Sequence, residues 1–183
     1  MTRIFDILFS FFGLLILSPI ILVLLGIGLF DTGSPIFRQE RVGKGKQPFK
    51  LMKFRSMYVN APSVATHLAN ASSITPFGSF LRKSKLDELP QLWNVFEGDM
   101  SLVGPRPNLF NQEELIHERD SRGVYSVRPG ITGLAQINKI DMSTPQLLAE
   151  TDAKMIQKLN TLGYSKYIFL TVFGKGFGDR INK

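Results

Sequence analysis

The sequence predicts a mostly helical protein with a small β element, attached to a membrane by its N-terminal end. Three observations support this fold class. A long uncharged apolar segment, Ile7–Phe30, lies near the N-terminus. Residues 36–57 alternate loosely between apolar and polar types, and residues 144–162 carry apolar side chains at helical spacing. We therefore expect a membrane segment over residues 1–34 and a compact α/β domain over residues 35–183.

The N-terminal segment is long enough to cross a membrane. The 24 residues between Asp6 and Asp31 carry no charge, and as a straight helix they would measure about 36 Å, against a hydrocarbon core of about 30 Å. Pro19 at the midpoint removes a backbone hydrogen bond, and Ser18 can satisfy the carbonyl that is left free. Two interpretations stay open: a kinked helix that spans the bilayer, and a re-entrant hairpin of helix, break and helix that enters and leaves by one face.

Basic residues follow the apolar segment. From Arg38 to Arg55 there are seven basic residues and one acid, Glu40, in a chain of net charge +7. This cluster suits anionic membrane lipid, and with Arg3 on the other flank it favours both ends of the segment on the cytoplasmic side. No aromatic-interleaved or zinc-finger pattern supports a nucleic-acid partner. The absence of cysteine excludes a thiolate nucleophile or thiolate metal site.

The rest of the chain is predicted to form short elements. Two strands around a turn are expected over residues 36–57, and a loop with a short helix over residues 56–81. Further helices are expected over residues 89–96, 108–122 and 144–162. Residues 164–173 are too short to span a membrane, so they form either a core element or an amphipathic piece in the membrane interface.

Two adjacent acids, Asp87 and Glu88, lie in a strongly basic stretch. A helix that begins near Asp87 would place Pro90 in its first turn and both acids at a helix N-terminus. The structural alternative is a capping box formed by Ser84 and Asp87. Neighbouring helical residues point about 100° apart, so different roles suit the two acids. One would be a nucleophile and the other a ligand of Mg²⁺.

The same stretch carries a resemblance to a known family. Residues 86–107 include LDELPQL, NV and GDMSLVGPRP, and residues 128–133 read RPGITG. Together with Ser18-Pro19 and the run FKLMKFRSM at residues 49–57, they closely resemble the bacterial sugar transferases. These are small monotopic polyprenol-phosphate phosphoglycosyl transferases. The resemblance covers nearly the whole chain and implies that residues 1–34 form the re-entrant hairpin. It also implies a cytoplasmic domain with interfacial amphipathic helices, on the cytoplasmic face of the bacterial inner (plasma) membrane.

The resemblance also implies a reaction. A phosphosugar would pass from a UDP-sugar to a membrane polyprenol phosphate, with release of UMP. This would be the first membrane step in making a cell-surface glycan such as O-antigen, capsule, exopolysaccharide or a glycoprotein glycan. By matching positions, Asp87 would form an aspartyl-phosphosugar intermediate and Glu88 would bind Mg²⁺. The residues implied in phosphate binding are basic: Lys53, Arg82, Arg106 and Arg128.

Some positions depart from the family pattern. Leu134 stands where tryptophan is common, and Asn138-Lys139 replace the usual Gly-Arg. They lie outside Asp87-Glu88 and bear on which nucleotide sugar is used. The alternative function is a catalytically inactive membrane-anchored scaffold of a glycan assembly pathway. A two-carboxylate hydrolase is disfavoured because adjacent acids lack the separation that glycosidases need. The exposed apolar segment suits either lipid or a second copy of the chain in a homodimer.

Overall fold

The computed structural model describes residues 2–61 and 71–172. Its helices are Thr2–Thr32 (α1), Pro76–Ser84 (α2), Gln91–Glu97 (α3), Glu113–Ser121 (α4), Leu134–Ile137 (α5), Pro145–Lys158 (α6) and Thr161–Val172 (α7). Its strands are Ile36–Val42 (β1), Pro48–Phe54 (β2), Ser101–Val103 (β3) and Gly130–Thr132 (β4). Short 3-10 turns lie at Lys44–Lys46, Ala71–Ser73, Leu86–Glu88 and Val124–Ser126. The predicted fold class, mostly helical with a small β element, is confirmed at this level.

The apolar segment forms a single helix, α1, which is long and apolar enough to cross a membrane by its length and composition. The break expected at its centre does not divide it, because the helix continues through Ser18 and Pro19. Ser18 Oγ donates a hydrogen bond of 2.7 Å to the carbonyl of Leu15. This carbonyl would have accepted the N–H that Pro19 lacks. The expected role of Ser18 is confirmed, and it helps to explain why the helix continues.

Both ends of α1 contact the rest of the chain, whereas its middle is exposed. Near the N-terminus, the buried Asp6 carboxylate accepts hydrogen bonds from Ser101 Oγ, Leu102 N and Tyr164 OH. Near the C-terminus, Thr75 Oγ1 donates to Asp31 at 2.7 Å. Between these two attachments, Ile16 is 72% exposed. The helix is therefore attached at both ends to the chain that follows it, by β3 and α7 at its start and by the N-terminus of α2 at its end.

β1 and β2 form the predicted hairpin, antiparallel, with Ile36 opposite Phe54. Alternate residues of a strand point to the same face, and Phe49, Leu51 and Lys53 of β2 are all buried. Phe49 and Leu51 belong to the main hydrophobic core. Lys53 follows them along the same face, so its ammonium group is taken out of water and requires an acidic partner.

No pattern in the sequence predicts the second sheet. β3 and β4 pair in parallel, with Ser101 opposite Gly130 and Val103 opposite Thr132. Each strand has three residues, which is too short to show an alternation. The pairing brings the motif segments 98–107 and 128–133 together, although they are separate in the sequence.

The two acids do not begin a helix, which corrects the prediction. Asp87 and Glu88 lie in the 3-10 turn, and α3 begins only after Pro90. The reason is that α2 extends through Ser84 and ends at Lys85, whose left-handed backbone (φ 58°) reverses the chain. The acids therefore fall in the connection between two helices. The capping box is not formed either, because Ser84 Oγ donates to carbonyls of its own helix instead.

The other predicted helices are present with shifted ends. α3, α4 and α6 overlap the predicted ranges, and α2 supplies the short helix expected before residue 81. α7 covers the 164–172 part of the last apolar stretch, with Tyr164 in the core and Phe169 60% exposed. The core role is thus confirmed at Tyr164, and a place in the membrane interface stays a prediction for this helix.

Candidate active site

Glu88 lies between two cationic side chains. Its Oε1 accepts a hydrogen bond of 2.9 Å from Arg106 Nη2 and lies 3.7 Å from Lys53 Nζ. All three side chains are less than one-fifth exposed, so water screens these charges less than it screens a surface pair. The fold thus brings together three of the residues that the sequence singled out.

Asp87 is the more buried of the two adjacent acids, with 6% of its surface exposed. The 3-10 turn that carries it packs against α2 and against β2, the strand of Lys53. Asp87 directly precedes Glu88 in this turn, so the turn carries two acids close to the two cations that contact Glu88. The two cations balance the two acids in charge, so an anionic phosphate would need further positive charge, which another basic side chain or a divalent cation could supply.

The segment that carries Arg106 is held by closely packed glycines. Gly104 N donates to Thr132 O, and Gly130 N donates to Pro105 O, each at 2.8 Å. The two backbones approach so closely that a Cβ atom on Gly130 would lie 2.0 Å from Gly104 N. Only glycine fits such a contact. The glycines of the two motifs therefore allow the two backbones to pack together, and this packing fixes the position of the loop from which Arg106 reaches Glu88.

Arg82 lies in the last turn of α2, beside this region. Its Nε donates a hydrogen bond of 2.8 Å to Ser56 Oγ, on the segment that follows β2. Its Nη1 is buried and has no hydrogen-bond partner among the described residues. A buried guanidinium donor without an acceptor is costly, and an anionic ligand oxygen would satisfy it.

Arg128 is placed elsewhere. Its Nε donates to the carbonyl of Gly98 at 2.6 Å, at the C-terminal end of α3. Arg3 of α1 binds the same helix end, where it donates to the carbonyls of Val95 and Phe96. Basic side chains suit this position, because the last carbonyls of a helix lack partners and carry partial negative charge. Asp87 and Glu88 lie before the opposite end of α3.

A buried ion pair beneath the site was not predicted. Arg119 of α4 donates to Asp152 Oδ2 of α6 through Nε and Nη2, at 3.1 and 2.7 Å, and both side chains are almost fully buried. Burial raises the pKa of Asp152, and the Arg119 guanidinium opposes that shift. The sequence held a signal: Asp152 lies between the buried Leu148 and Met155 on α6, so a carboxylate interrupts an apolar stripe.

Glu88 has the chemistry to bind Mg²⁺. Its hydrogen bond with Arg106 and its ion pair with Lys53 are both made through Oε1. In the part of the chain that the structure describes, no group of three or more His, Cys, Asp or Glu could hold a metal ion alone. Mg²⁺ is usually bound by one or two carboxylates together with substrate phosphates. Glu88 provides one such carboxylate, and so fits a cation shared with a phosphate.

Residues 1–176 match the family model described as bacterial sugar transferase. The chain belongs to the bacterial sugar transferase family. This sugar transferase is similar to the UDP-glucose:undecaprenyl-phosphate glucose-1-phosphate transferase of Klebsiella pneumoniae, with 42% identity over 193 residues, 99% of this chain and 40% of that protein. The protein of the same name in Escherichia coli (strain K12) is 39% identical over 185 residues, 96% of this chain and 40% of that protein. The UDP-galactose-lipid carrier transferase of Erwinia amylovora is 39% identical over 153 residues, 74% of this chain and 32% of that protein. The chain thus spans less than half the length of these relatives.

Proposed function

We propose that this sugar transferase is a polyprenol-phosphate phosphoglycosyl transferase, which moves a phosphosugar from a UDP-sugar to a membrane polyprenol phosphate and releases UMP. The observation that carries the proposal is the buried Asp87 next to Glu88, whose Oε1 is bound by Arg106 at 2.9 Å. Its relatives are named as glucose-1-phosphate transferases acting on undecaprenyl phosphate.

The reaction has two displacements at one phosphorus atom. A carboxylate oxygen of Asp87 attacks the phosphorus bonded to the sugar, the bond to the UMP oxygen breaks, and UMP leaves with the electron pair. An oxygen of the polyprenol phosphate then attacks the aspartyl-phosphosugar at the same phosphorus, and Asp87 leaves as a carboxylate. The two-step route lets a water-soluble donor and a lipid acceptor use one site in turn.

Each displacement brings one anion toward another, so the site needs positive charge. Arg106 and Lys53 already surround Glu88, and the Nη1 donor of Arg82 has no protein acceptor among the described residues. These three residues would hold phosphate oxygens. Mg²⁺, bound through Glu88, would neutralise charge on the diphosphate. Arg128, whose Nε donates to Gly98 O, is a further proposed phosphate-binding residue, on the nucleotide side.

The proposed topology is monotopic. The continuous helix α1 would bend at Pro19, so that residues 1–34 enter and leave the membrane by one face as a re-entrant hairpin, and residues 35–183 would form a domain on the cytoplasmic face of the inner membrane. The support for this topology is that Asp6 and Asp31, at opposite ends of α1, both bind elements of that domain. A helix that crosses the bilayer would separate its ends by the membrane thickness, about 30 Å. The acceptor phosphate lies at headgroup level, where such a domain would meet it.

The proposal is tested by measuring UMP release in the presence of Mg²⁺ and polyprenol phosphate. The donors are UDP-glucose, UDP-galactose, UDP-N-acetylglucosamine and UDP-N-acetylgalactosamine. We expect wild-type protein to turn over at least one sugar and Asp87→Asn to lose turnover. Asp120→Asn is the matched control, because Asp120 is an exposed acid paired with Lys46. Undiminished turnover by Asp87→Asn would contradict the nucleophile. No release with any sugar would favour the inactive scaffold.

A further inference from the structure

We propose that Arg119 and Asp152 are positioning residues, which hold the backbone of Arg106 so that its guanidinium meets Glu88 and the substrate phosphates. This inference rests on the proposed function. Nothing in the motifs points to it, because Arg119 and Asp152 lie outside them. It is carried by the contacts of one buried guanidinium.

The Arg119 guanidinium joins α6 to the Arg106 loop. Two of its nitrogens bind Asp152, and the third, Nη1, donates to the backbone carbonyl of Arg106 at 2.8 Å. Nη1 also donates to Asn108 Oδ1 at 2.8 Å. The Asn108 oxygen is shared with Tyr125 OH, at 3.1 Å. The side chain of Arg106 thus faces Glu88 while its main chain is bonded to Arg119.

The loop on either side of Arg106 is held in the same way. The carbonyl of Pro105 accepts a hydrogen bond from Gly130 N at 2.8 Å, and the carbonyl of Pro107 accepts one from Arg41 Nη1 at 3.3 Å. Proline has a fixed φ and no N–H, so the backbone on both sides of Arg106 is restricted and bonds through its carbonyls. Of the three consecutive carbonyls of residues 105–107, Arg119 binds the central one, that of Arg106, whose side chain contacts Glu88.

A contribution to folding stability does not by itself explain why this buried ion pair of Arg119 and Asp152 is present. Arg119 is 1% and Asp152 0% exposed, and the cost of removing two charges from water often exceeds their attraction. Asp152 Oδ1 also has no hydrogen-bond partner among the described residues. What the pair provides, and an apolar pair would not, is a rigid fork of donors aimed at the Arg106 carbonyl. A misplacement of about 1 Å near reacting groups can cost about a hundredfold in rate.

The test is Arg119→Lys, which keeps a positive charge for Asp152 but cannot donate to both Asp152 and the Arg106 carbonyl as the fork does. In the UMP-release assay we expect kcat to fall about tenfold or more, with KM for the UDP-sugar changed less than about threefold. In an Arg106→Lys background, adding Arg119→Lys should lower kcat by less than about threefold. The reason is that Arg119 acts by positioning the Arg106 guanidinium, which this background has already removed.

Arg122→Lys is the matched control, since Arg122 is a more exposed arginine that pairs with Glu118 and Glu150; its rate should equal that of wild type. A loss of kcat in the double variant equal to the product of the two single losses would overturn the positioning role.

Asp152→Asn provides a second variant, which can be combined with Arg106→Lys in the same way. If neither variant of the pair folds, as judged by thermal melting, the pair serves stability and the inference is overturned. Wild-type protein without UMP release would overturn the proposed function, and the positioning role with it.

Discussion

Tyr164 of α7 donates a hydrogen bond of 2.5 Å to Asp6 Oδ1 in the first turns of α1, across 158 residues of sequence. Both side chains are almost fully buried. The same carboxylate oxygen accepts hydrogen bonds from Ser101 Oγ and Leu102 N of β3. One buried acid therefore ties the start of the apolar helix to the second sheet and to the last described helix.

This contact predicts an alkaline loss of stability. Burial, and then the hydrogen bond to Asp6, raise the pKa of Tyr164 well above its ordinary value. An unfolded tyrosine ionises at about pH 10, so above that pH the folded state holds the extra proton. The free energy of unfolding then falls as pH rises, by up to about 1.4 kcal/mol per pH unit.

We therefore expect the thermal midpoint of Tyr164→Phe, measured in detergent, to fall less steeply above about pH 10 than that of wild type. Tyr58→Phe serves as the control, because Tyr58 is exposed. A Tyr164→Phe profile as steep as the wild-type profile would show that Tyr164 is not the group that titrates.

Glu88→Gln tests the proposed metal ligand. The amide keeps an oxygen for Arg106 but removes the charge that attracts a hard cation. In the UMP-release assay we expect the Mg²⁺ concentration for half-maximal rate to rise at least about tenfold, the loss found even for residues that only support a metal ligand. Glu97→Gln, which changes an exposed acid at the end of α3, should respond to Mg²⁺ as wild type does. An unchanged Mg²⁺ response in Glu88→Gln would remove Glu88 from the metal site.

Labelling of single introduced cysteines can determine on which side of the membrane each end of α1 lies, since the chain has no cysteine of its own. Thr2→Cys and Gln47→Cys introduce exposed thiols at the first residue of α1 and in the chain that follows α1. A re-entrant hairpin places both on the cytoplasmic side. We expect an impermeant maleimide to label neither in intact cells and both after lysis. Labelling of Thr2→Cys alone in intact cells would establish a spanning helix.

Ser18→Ala tests how α1 tolerates its proline. The Ser18 hydroxyl donates to Leu15 O at 2.7 Å, and a side-chain hydrogen bond in a membrane contributes about 0.6 to 1.7 kcal/mol. We expect Ser18→Ala to lower the thermal midpoint in detergent and Ser18→Thr, which keeps the hydroxyl, to preserve it. In a Pro19→Ala background the restored N–H would bind Leu15 O, so Ser18→Ala should then have little effect. An equal loss in both backgrounds would mean that Ser18 does not replace the missing N–H.

The sequence and the structure agree where the signal is local. The apolar run of α1, the alternation of the β1–β2 hairpin and the helical spacing of α6 each lie within one element, so a short window of sequence contains them. The prediction that a helix begins near Asp87 is wrong, again because only local signals were available in the sequence. The local signals around Asp87 carry no information about α2, which extends to Ser84 and leaves the two acids in a connecting turn.

The sequence by itself determined the long apolar segment and the fold class, and through the family motifs it predicted the Asp87-Glu88 pair with its basic residues. Tertiary structure decided which of those residues meet: Arg106 and Lys53 reach Glu88, whereas Arg128 binds Gly98 O. It also decided that Arg119 holds the Arg106 carbonyl while paired with Asp152. These contacts join residues on separate elements, and their partners depend on how those elements pack. Residue spacing along one chain carries local periodicity, but it does not specify which distant groups become neighbours.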